Sequence, residues 1–309
     1  MAGDAAKNGH LLPDRVGPLM GETPLREPKG GVLYEPVFAG EMPTLPGWPV
    51  YRNLTLSTIC HAPTVAFRWS LLYNPALMKK KDNTILIAEL YTSLQGETRF
   101  VGLPSFFIRT AGCPLRCSWC DSPHAFSGGK RMTIREIVAQ SLSGPEFVTV
   151  TGGEPLVQGA VPRLLSRLIE AKKSVLLETS GAFSIADLPP EIIVILDWKG
   201  QSSGEADRML KDNLSRLRPH DELKFVIATE EDYRDARELL RSESLHRRCH
   251  VTFSWAFPPP DPHPLKPFPK EQRRISLAEL AGRILEDRLP VRMIPQVHKF
   301  VWPEEGSGR

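Results

Sequence analysis

The stretch Cys113-Pro114-Leu115-Arg116-Cys117-Ser118-Trp119-Cys120 decides how the rest of this sequence is interpreted. Its three cysteines have the spacing CxxxCxxC, which lets their thiolates converge on one inorganic centre. A closed structural zinc site needs a fourth cysteine or histidine, which this stretch lacks. A 4Fe–4S cluster held by three cysteines leaves one iron open to a small molecule. The spacing favours such a cluster, with a zinc loop or three unrelated buried thiols as alternatives.

Composition narrows the classes of protein that the sequence can encode. The 309 residues fit one barrel-like domain, or one domain plus an extension, and 41% hydrophobic residues provide a sizeable core. A net charge of +3 gives no argument for nucleic-acid binding. Five cysteines, three of them clustered, do not resemble a secreted disulfide framework and predict a cytoplasmic protein. We find neither a signal peptide nor an apolar run near the ~18 residues of a membrane span.

Residues 1–80 differ from the rest of the chain. Proline and glycine recur there without a period of two or 3.6, so neither a helix nor a sheet ladder is expected to propagate. We predict a mostly disordered extension that also carries Cys60, with Met78 as an alternative start and partner docking as a further possibility. Residues 81–305 are predicted to form the core domain.

From Asn83 onward, short apolar runs alternate with segments of helical periodicity. The predicted strands are Ile85–Leu90, Phe106–Arg109, Phe147–Thr151, Val175–Glu178, Ile192–Asp197, Leu223–Ile227, Val251–Ser254 and Val291–Pro295. The predicted helices are Ile134–Leu142, Val161–Ala171, Glu205–Leu217, Glu231–Leu240 and Leu277–Leu289. Thr133 and Glu136 have capping-box spacing at the first helix. The last has an apolar face of Leu277, Leu280, Ala281, Ile284 and Leu285. This alternation predicts an α/β fold with a parallel sheet, as a full or partial β/α barrel.

Polar residues follow the predicted strands at their carboxyl ends. They are Arg109, the run 151–155 (Thr-Gly-Gly-Glu-Pro), the run 178–181 (Glu-Thr-Ser-Gly), the run 197–200 (Asp-Trp-Lys-Gly) and Ser254. In parallel α/β folds these strand ends meet on one face, where active sites form. The cysteine loop follows such a strand too, so we expect one site that contains all of these motifs.

These motifs resemble the radical S-adenosylmethionine (radical SAM) enzymes, whose fold is a partial, TIM-like β/α barrel. Further segments narrow the resemblance to the 7-carboxy-7-deazaguanine synthase family. They are Ser93-Leu94-Gln95-Gly96-Glu97, Phe107-Ile108-Arg109, Ala111-Gly112-Cys113, Trp119-Cys120-Asp121-Ser122 and Pro295-Gln296-Val297-His298-Lys299. The resemblance covers about residues 83–303. It implies a lyase of queuosine and 7-deazapurine biosynthesis, a pathway of tRNA modification.

The resemblance implies a 4Fe–4S cluster held by Cys113, Cys117 and Cys120. SAM would chelate the open iron and be cleaved to a 5′-deoxyadenosyl radical, for which the protein supplies orientation and exclusion of water. Gly152 and Gly153 allow backbone to approach SAM closely, and Glu154 is expected to accept from its ammonium. The other residues expected to bind SAM are Trp119, Asp121, Thr179, Ser180 and Lys199.

The substrate implied is 6-carboxy-5,6,7,8-tetrahydropterin, which rearranges to 7-carboxy-7-deazaguanine with loss of ammonia. Arg109 offers a fork suited to the carboxylate. The other residues expected to contact substrate are Leu94, Gln95, Gly96, Glu97, Thr151 and His298, and His298 is also considered for proton transfer.

Several of these residues have plainer interpretations. Arg109 could pair with Glu97 or Asp121, His298 could be a core histidine, and Glu97 could be a solvated charge. Lys299 is taken as structural. The family commonly has threonine at the position of Ser122, where its hydroxyl is associated with Mg²⁺. Serine keeps the oxygen ligand but loses the methyl group that restricts χ1, so we expect a magnesium site of uncertain strength.

The expected partners are a reductant such as flavodoxin or ferredoxin and, by family analogy, a second copy of the chain in a homodimer. No membrane or nucleic-acid partner is expected. Two alternatives stay open on sequence grounds: an activase of glycyl-radical enzymes, and a zinc-binding module without catalysis. The prolines around Asp261 and His263 are expected to form a rigid surface connection.

Overall fold

The structure is a computed structural model that describes residues 83–258 and 267–303. The predictions for residues 1–80, including Cys60 and Met78, lie outside the described residues. The same holds for residues 259–266, which include most of the predicted proline-rich connection. No helix within the described ranges is both long and apolar enough to cross a membrane.

A single nine-stranded sheet organises the described part of the chain. Its strands are β1 (Thr84–Leu94), β2 (Pro104–Thr110), β3 (Lys130–Thr133), β4 (Phe147–Gly152), β5 (Ser174–Thr179), β6 (Ile193–Trp198), β7 (Glu222–Ile227), β8 (His250–Trp255) and β9 (Arg292–Pro295). The spatial order is β3-β1-β2-β4-β5-β6-β7-β8-β9. Because β3 and β9 form the two edges, the sheet does not close within the described ranges. This agrees with the predicted partial barrel.

The predicted parallel sheet has antiparallel strand pairing at one edge, which the sequence did not indicate. From β2 to β9 neighbouring strands are parallel, but β1 is antiparallel to both β2 and β3. Residues 95–103 connect β1 to β2, and Gln95 N donates to Leu103 O at 2.8 Å across this turn. Such a connection is too short for the crossover that parallel neighbours need, so it forms a hairpin. The sequence analysis also missed β3.

The helices are α1 (Ile134–Ser141), α2 (Val161–Glu170), α3 (Asp212–Arg216), α4 (Glu230–Ser242), α5 (Leu277–Glu286) and α6 (Val297–Val301). The predicted capping box is confirmed, since Glu136 N donates to Thr133 Oγ1 and Thr133 N donates to Glu136 Oε2. The apolar face of α2 packs into the core with the outward face of the sheet. On α5 the prediction fails for Leu285, which is 76% exposed. It lies about 100° around the helix from buried Ile284, outside the face that meets the sheet.

The predicted helix Glu205–Leu217 is broken into a 3₁₀ turn (Ala206–Arg208) and the short α3. Met209 is extended and buried between them, and its sulfur accepts from Lys199 N. Asn213 donates to the carbonyls of Gly181 and Phe183 after β5. These tertiary contacts with neighbouring strand ends override local helical preference. The segment therefore supports the loops around the site instead of forming one outer helix.

Candidate active site

A cavity lies at the carboxyl ends of the strands from β2 to β8. Its empty space measures about 930 Å³, counting the part open to solvent, which suits a small-molecule site. Among the predicted site residues, Glu97, Arg109, Cys113, Cys117, Trp119, Cys120, Asp121, Ser122, Thr151, Gly152, Gly153, Thr179, Ser180 and Lys199 line it. The strand-end motifs and the cysteine loop thus meet in one place, as the parallel part of the sheet requires.

The cysteine loop follows β2 directly and presents all three thiols to the cavity. None of the four cysteines within the described ranges forms a disulfide. Three thiols that line one cavity can bind a shared inorganic centre, and three protein ligands leave one position of that centre open to a small molecule.

Burial affects how the thiols bind metal. It raises the pKa of the Cys117 thiol to about 11 and that of Cys120 to about 12. The metal-free thiols are therefore protonated at neutral pH. Cluster assembly has to release these protons, because only thiolates act as ligands.

The cysteine loop is held by a 3₁₀ turn, Gln201–Ser203, that follows β6. Ser118 donates to Ser202 O at 2.5 Å, and the Trp119 indole N–H donates to Ser202 Oγ at 3.1 Å. Ser202 in turn donates to buried Asp232 in the first turn of α4. Two other segments, the 3₁₀ turn and the start of α4, thus fix the position of the loop.

The two glycines after β4 allow the chain to pack against the cysteine loop. A Cβ on Gly153 would lie 2.5 Å from Gly112 O and 2.7 Å from Cys113 Cβ. A Cβ on Gly152 would collide with Thr110. The predicted need for close backbone approach is therefore explained, in the first place, by contact between the two loops.

Glu154 does not line the cavity. The side chain is fully buried, and its two oxygens accept from Leu156 N, Thr179 Oγ1, Ser180 N and Ser180 Oγ. A buried carboxylate with this many donors is stable and holds them in place. Glu154 therefore positions Thr179 and Ser180, whose side chains do line the cavity.

A chain of charged and polar side chains encircles the cavity, and we name it the charge ring: Lys199, Asp197, Lys224, Glu97, Gln296 and Asp121. Successive contacts join Lys199 Nζ to Asp197 Oδ1 at 3.0 Å, Asp197 Oδ2 to Lys224 Nζ at 3.1 Å and Lys224 Nζ to Glu97 Oε2 at 2.8 Å. The Gln296 amide then donates to Glu97 Oε1 at 3.0 Å and to Asp121 Oδ2 at 2.9 Å. Lys199 also lies 4.8 Å from the centre of the Trp119 ring. The ring thus begins and ends beside Cys120.

Neighbouring charges in the ring shift one another's pKa values. Burial alone would raise the pKa of Glu97, but Lys224 and His298 outweigh it and lower the pKa to about 2. Burial would lower the pKa of Lys199, but Asp197 holds it above its usual value. Asp197 and Glu97 likewise raise the pKa of Lys224. Glu97, Lys199 and Lys224 are therefore charged at neutral pH.

Two sequence motifs almost 200 residues apart meet at Glu97. Val297 N donates to Gly96 O at 3.0 Å, which docks the start of α6 on the loop after β1. A Cβ on Gly96 would lie 2.8 Å from His298 Nδ1. Gly96 therefore contributes by leaving room for His298, whose side chain is 21% exposed and so is not a core histidine.

The three groups Glu97, Asp121 and His298 bring potential metal-ligand atoms within 4.8 Å of one another. Burial would lower the pKa of His298, but the two carboxylates outweigh it and raise the pKa. Lys299 lies 3.4 Å from Asp121 Oδ2, and Ser122 Oγ donates to Asp121 Oδ1 at 3.0 Å. Cations and donors of the protein thus already occupy these carboxylates.

Arg109 pairs with neither of the partners considered from the sequence. Its Nε donates to Glu89 Oε1, and another nitrogen of its guanidinium donates to the Tyr91 hydroxyl. Both partners are on β1, which the hairpin places beside β2. Arg109 still lines the cavity from this fixed position, with its positive charge maintained by Glu89.

The segment 94–96 approaches the cavity only indirectly. Leu94 is exposed and does not line it, whereas Gln95 is buried. The Gln95 amide donates to Glu178 Oε1 at 3.0 Å, and Thr151 donates to Glu178 Oε2 at 2.9 Å. Gln95 therefore orients Glu178, which lines the cavity itself.

Sequence analysis gave no role to four polar residues of the cavity: Glu178, Asp197, Lys224 and Gln296. The first two stand in strand-end motifs and the last in the motif before α6, so their position was available as a signal. Lys224 is harder to find because it interrupts the apolar strand β7. A lysine within a buried strand is itself unusual, since lysine is almost never fully buried without a partner.

Comparisons with known proteins agree with this geometry. Residues 107–195 match the family model of the radical SAM superfamily. The 7-carboxy-7-deazaguanine synthase of Koribacter versatilis is 41% identical over 72% of this chain and 99% of its own length. The synthase of Methanospirillum hungatei is 40% identical over 70% of this chain and 84% of its own length. The crystal structure of QueE from Escherichia coli superposes with a TM-score of 0.54 and 21% identity, covering 70% of this chain and 95% of that one. That likeness supports the fold.

Proposed function

Because the chain belongs to the 7-carboxy-7-deazaguanine synthase family of the radical SAM superfamily, we propose that it converts 6-carboxy-5,6,7,8-tetrahydropterin to 7-carboxy-7-deazaguanine. One molecule of ammonia leaves in this reaction. The observation that carries the proposal is a single cavity lined both by the three cysteines and by Glu97, Arg109 and Gln296. Membership of this family disfavours the zinc-module alternative. No contact within the described ranges favours the activase alternative.

Membership of the superfamily implies a 4Fe–4S cluster and SAM as cofactors. When bound, they supply the radical that starts the reaction. Cys113, Cys117 and Cys120 would hold the cluster. Their exposure to one cavity fits this group.

We assign the adjoining side of the cavity to SAM. Trp119, Thr179, Ser180 and Lys199 line it, and Glu154 fixes the two hydroxyl residues from behind. Lys199 provides a cation there and Asp197 a carboxylate, which complement the carboxylate and ammonium of the SAM methionyl group. Gly152 and Gly153 keep this wall free of side chains.

The opposite side suits a flat pterin that carries a carboxylate. Arg109, already oriented by Glu89 and Tyr91, offers a guanidinium to that carboxylate. Glu97, Glu178 and Thr151 provide acceptors and a hydroxyl for the N–H groups and oxygen of the ring. Two carboxylates raise the pKa of His298, so this side chain can hold a proton near the substrate.

Mg²⁺ is part of this proposal. Ser122 and Asp121 line the cavity and offer oxygen ligands that suit a hard cation. Since Ser122 donates to Asp121, binding of the ion requires the hydroxyl to turn. We further propose a flavodoxin- or ferredoxin-type reductant and a homodimeric assembly, both by family analogy.

The test is anaerobic reconstitution with iron and sulfide, followed by addition of reductant, SAM, Mg²⁺ and 6-carboxytetrahydropterin. We expect a brown protein that forms carboxydeazaguanine, identified by absorbance and mass, only when SAM is present. A brown protein that cleaves SAM without converting the pterin would support the superfamily assignment but contradict the proposed substrate. A colourless protein containing zinc would reject both.

A further inference from the structure

Lys224 joins two parts of the charge ring. On one side is Asp197 with Lys199, beside Trp119 and the cysteine loop. On the other side is Glu97, which Gln296 connects to Asp121. Under the proposed function, on which this inference rests, the first half faces SAM and the second faces the pterin.

The ammonium of Lys224 is fixed by both halves together. The residue is 3% exposed, and its Nζ lies 2.8 Å from Glu97 Oε2 and 3.1 Å from Asp197 Oδ2. A buried charge is tolerated only while it stays paired, and removal of one partner leaves the other charge uncompensated. A displacement of either carboxylate therefore changes the balance of forces on the other.

The sheet itself does not require a lysine at this position. β7 pairs with β6 and β8 through backbone hydrogen bonds, and Lys224 is in register with Asp197 and Thr252. The side chains at 223 and 225 pack into the apolar core, whereas Lys224 points to the cavity. An apolar residue at 224 would preserve the ladder. The ammonium has its contacts within the charge ring.

We infer that Lys224 is a positioning residue that couples the binding of SAM to the binding of the pterin. It touches Glu97 and Asp197 and acts through them. Binding of SAM fixes the positions of Asp197 and Lys199. Asp197 then fixes the position of Lys224, and Lys224 fixes that of Glu97 before the pterin binds. Coupling between two sites is reciprocal, so the pterin tightens SAM binding by the same factor.

The experiment measures affinities of the reconstituted protein without reductant, so that no turnover occurs. The dissociation constant of 6-carboxytetrahydropterin is determined with and without saturating SAM, and that of SAM with and without the pterin. The variants are Lys224→Met, Lys224→Arg and Asp197→Asn. The matched control is Lys173→Met, which removes a lysine bonded to the carbonyls of Gly144 and Pro145 at the opposite ends of the strands.

In the unmodified protein and in Lys173→Met we expect each ligand to tighten the other by about tenfold, within the usual range of coupling. In Lys224→Met we expect a factor near one, with each ligand still binding alone. Lys224→Arg keeps the positive charge but carries it on a planar guanidinium, so this variant should recover part of the coupling factor. Asp197→Asn should lose most of it.

Unchanged coupling in Lys224→Met overturns the inference. If Lys224→Met gives no brown, folded protein, unchanged coupling in both Lys224→Arg and Asp197→Asn overturns it. Absence of coupling in the unmodified protein also overturns it. Failure of the proposed function is a separate result, because the unmodified protein would then bind no pterin at any concentration of SAM.

Discussion

The cysteine loop and the charge ring line one cavity but are built in opposite ways. The three cysteines lie within eight consecutive residues, and their spacing alone indicates an inorganic centre. The charge ring draws its members from β6, β7, the loop after β1, the residue before α6 and the end of the cysteine loop. The loop is thus a local motif that tertiary structure supports, whereas the ring exists only because the sheet brings distant segments together.

The largest effect is expected from the local motif. Cys117→Ala should abolish cluster assembly and product formation, because two thiolates cannot replace the three that the cavity offers. Iron and sulfide content and product mass are the measurements. The control is Cys249→Ala, which removes a buried cysteine that does not line the cavity. That variant should stay brown and active, and loss of iron from it would contradict the assignment.

The second-largest effect tests how far the cysteine loop depends on the chain that packs against it. Gly153→Ala places a methyl group against Gly112 O and Cys113 Cβ, so the cysteine loop has to move. A displacement of about 1 Å can reduce turnover about 100-fold, and we expect a loss of that order. Gly159→Ala, where a Cβ meets nothing within 4 Å, is the matched control. Equal activity of the two variants would show that the loop does not rely on this packing.

The charge ring should be visible as a dependence of stability on pH. The pKa of Glu97 falls from 4.5 to about 2 in the folded protein. A lowered pKa stabilises the folded state above the unfolded value, and that stabilisation is lost as the pH falls from about 5 towards 2. The shift corresponds to about 3 kcal/mol. Urea unfolding at several pH values should show a steeper acid loss for the unmodified protein than for Glu97→Gln. Parallel curves would mean that Lys224 does not hold the carboxylate.

The smallest effect concerns a local feature remote from the cavity. Thr133→Ala removes the N-cap of α1 and should lower the free energy of unfolding by about 1 kcal/mol. Product formation should stay unchanged, because the cap makes no contact with the site. Thermal unfolding and the standard assay check both statements. Ser143→Ala, on an exposed side chain just after α1, should change neither quantity.

Prediction from the sequence succeeded where neighbours along the chain decide the outcome. The alternation of strands and helices, the capping box of Thr133 and the cysteine spacing are all local patterns. Prediction failed where a tertiary contact overrides a local pattern. Met209 and Asn213 break the helix expected from Glu205, and the hairpin after β1 reverses the expected strand direction. The sequence also provided no sign that Glu154 is buried and accepts hydrogen bonds from four donors.

The sequence by itself determined the partial β/α barrel, the three thiols and the strand ends that carry the chemistry, because each follows from spacing or periodicity. Tertiary structure decided the rest of the site. Glu89 and not Glu97 pairs with Arg109, Gly96 makes room for His298, and Lys224 bridges Asp197 and Glu97. The pairing of buried charges depends on which side chains the sheet brings within a few ångströms of one another. That distance depends on strand order and register, and no local pattern in the sequence records it.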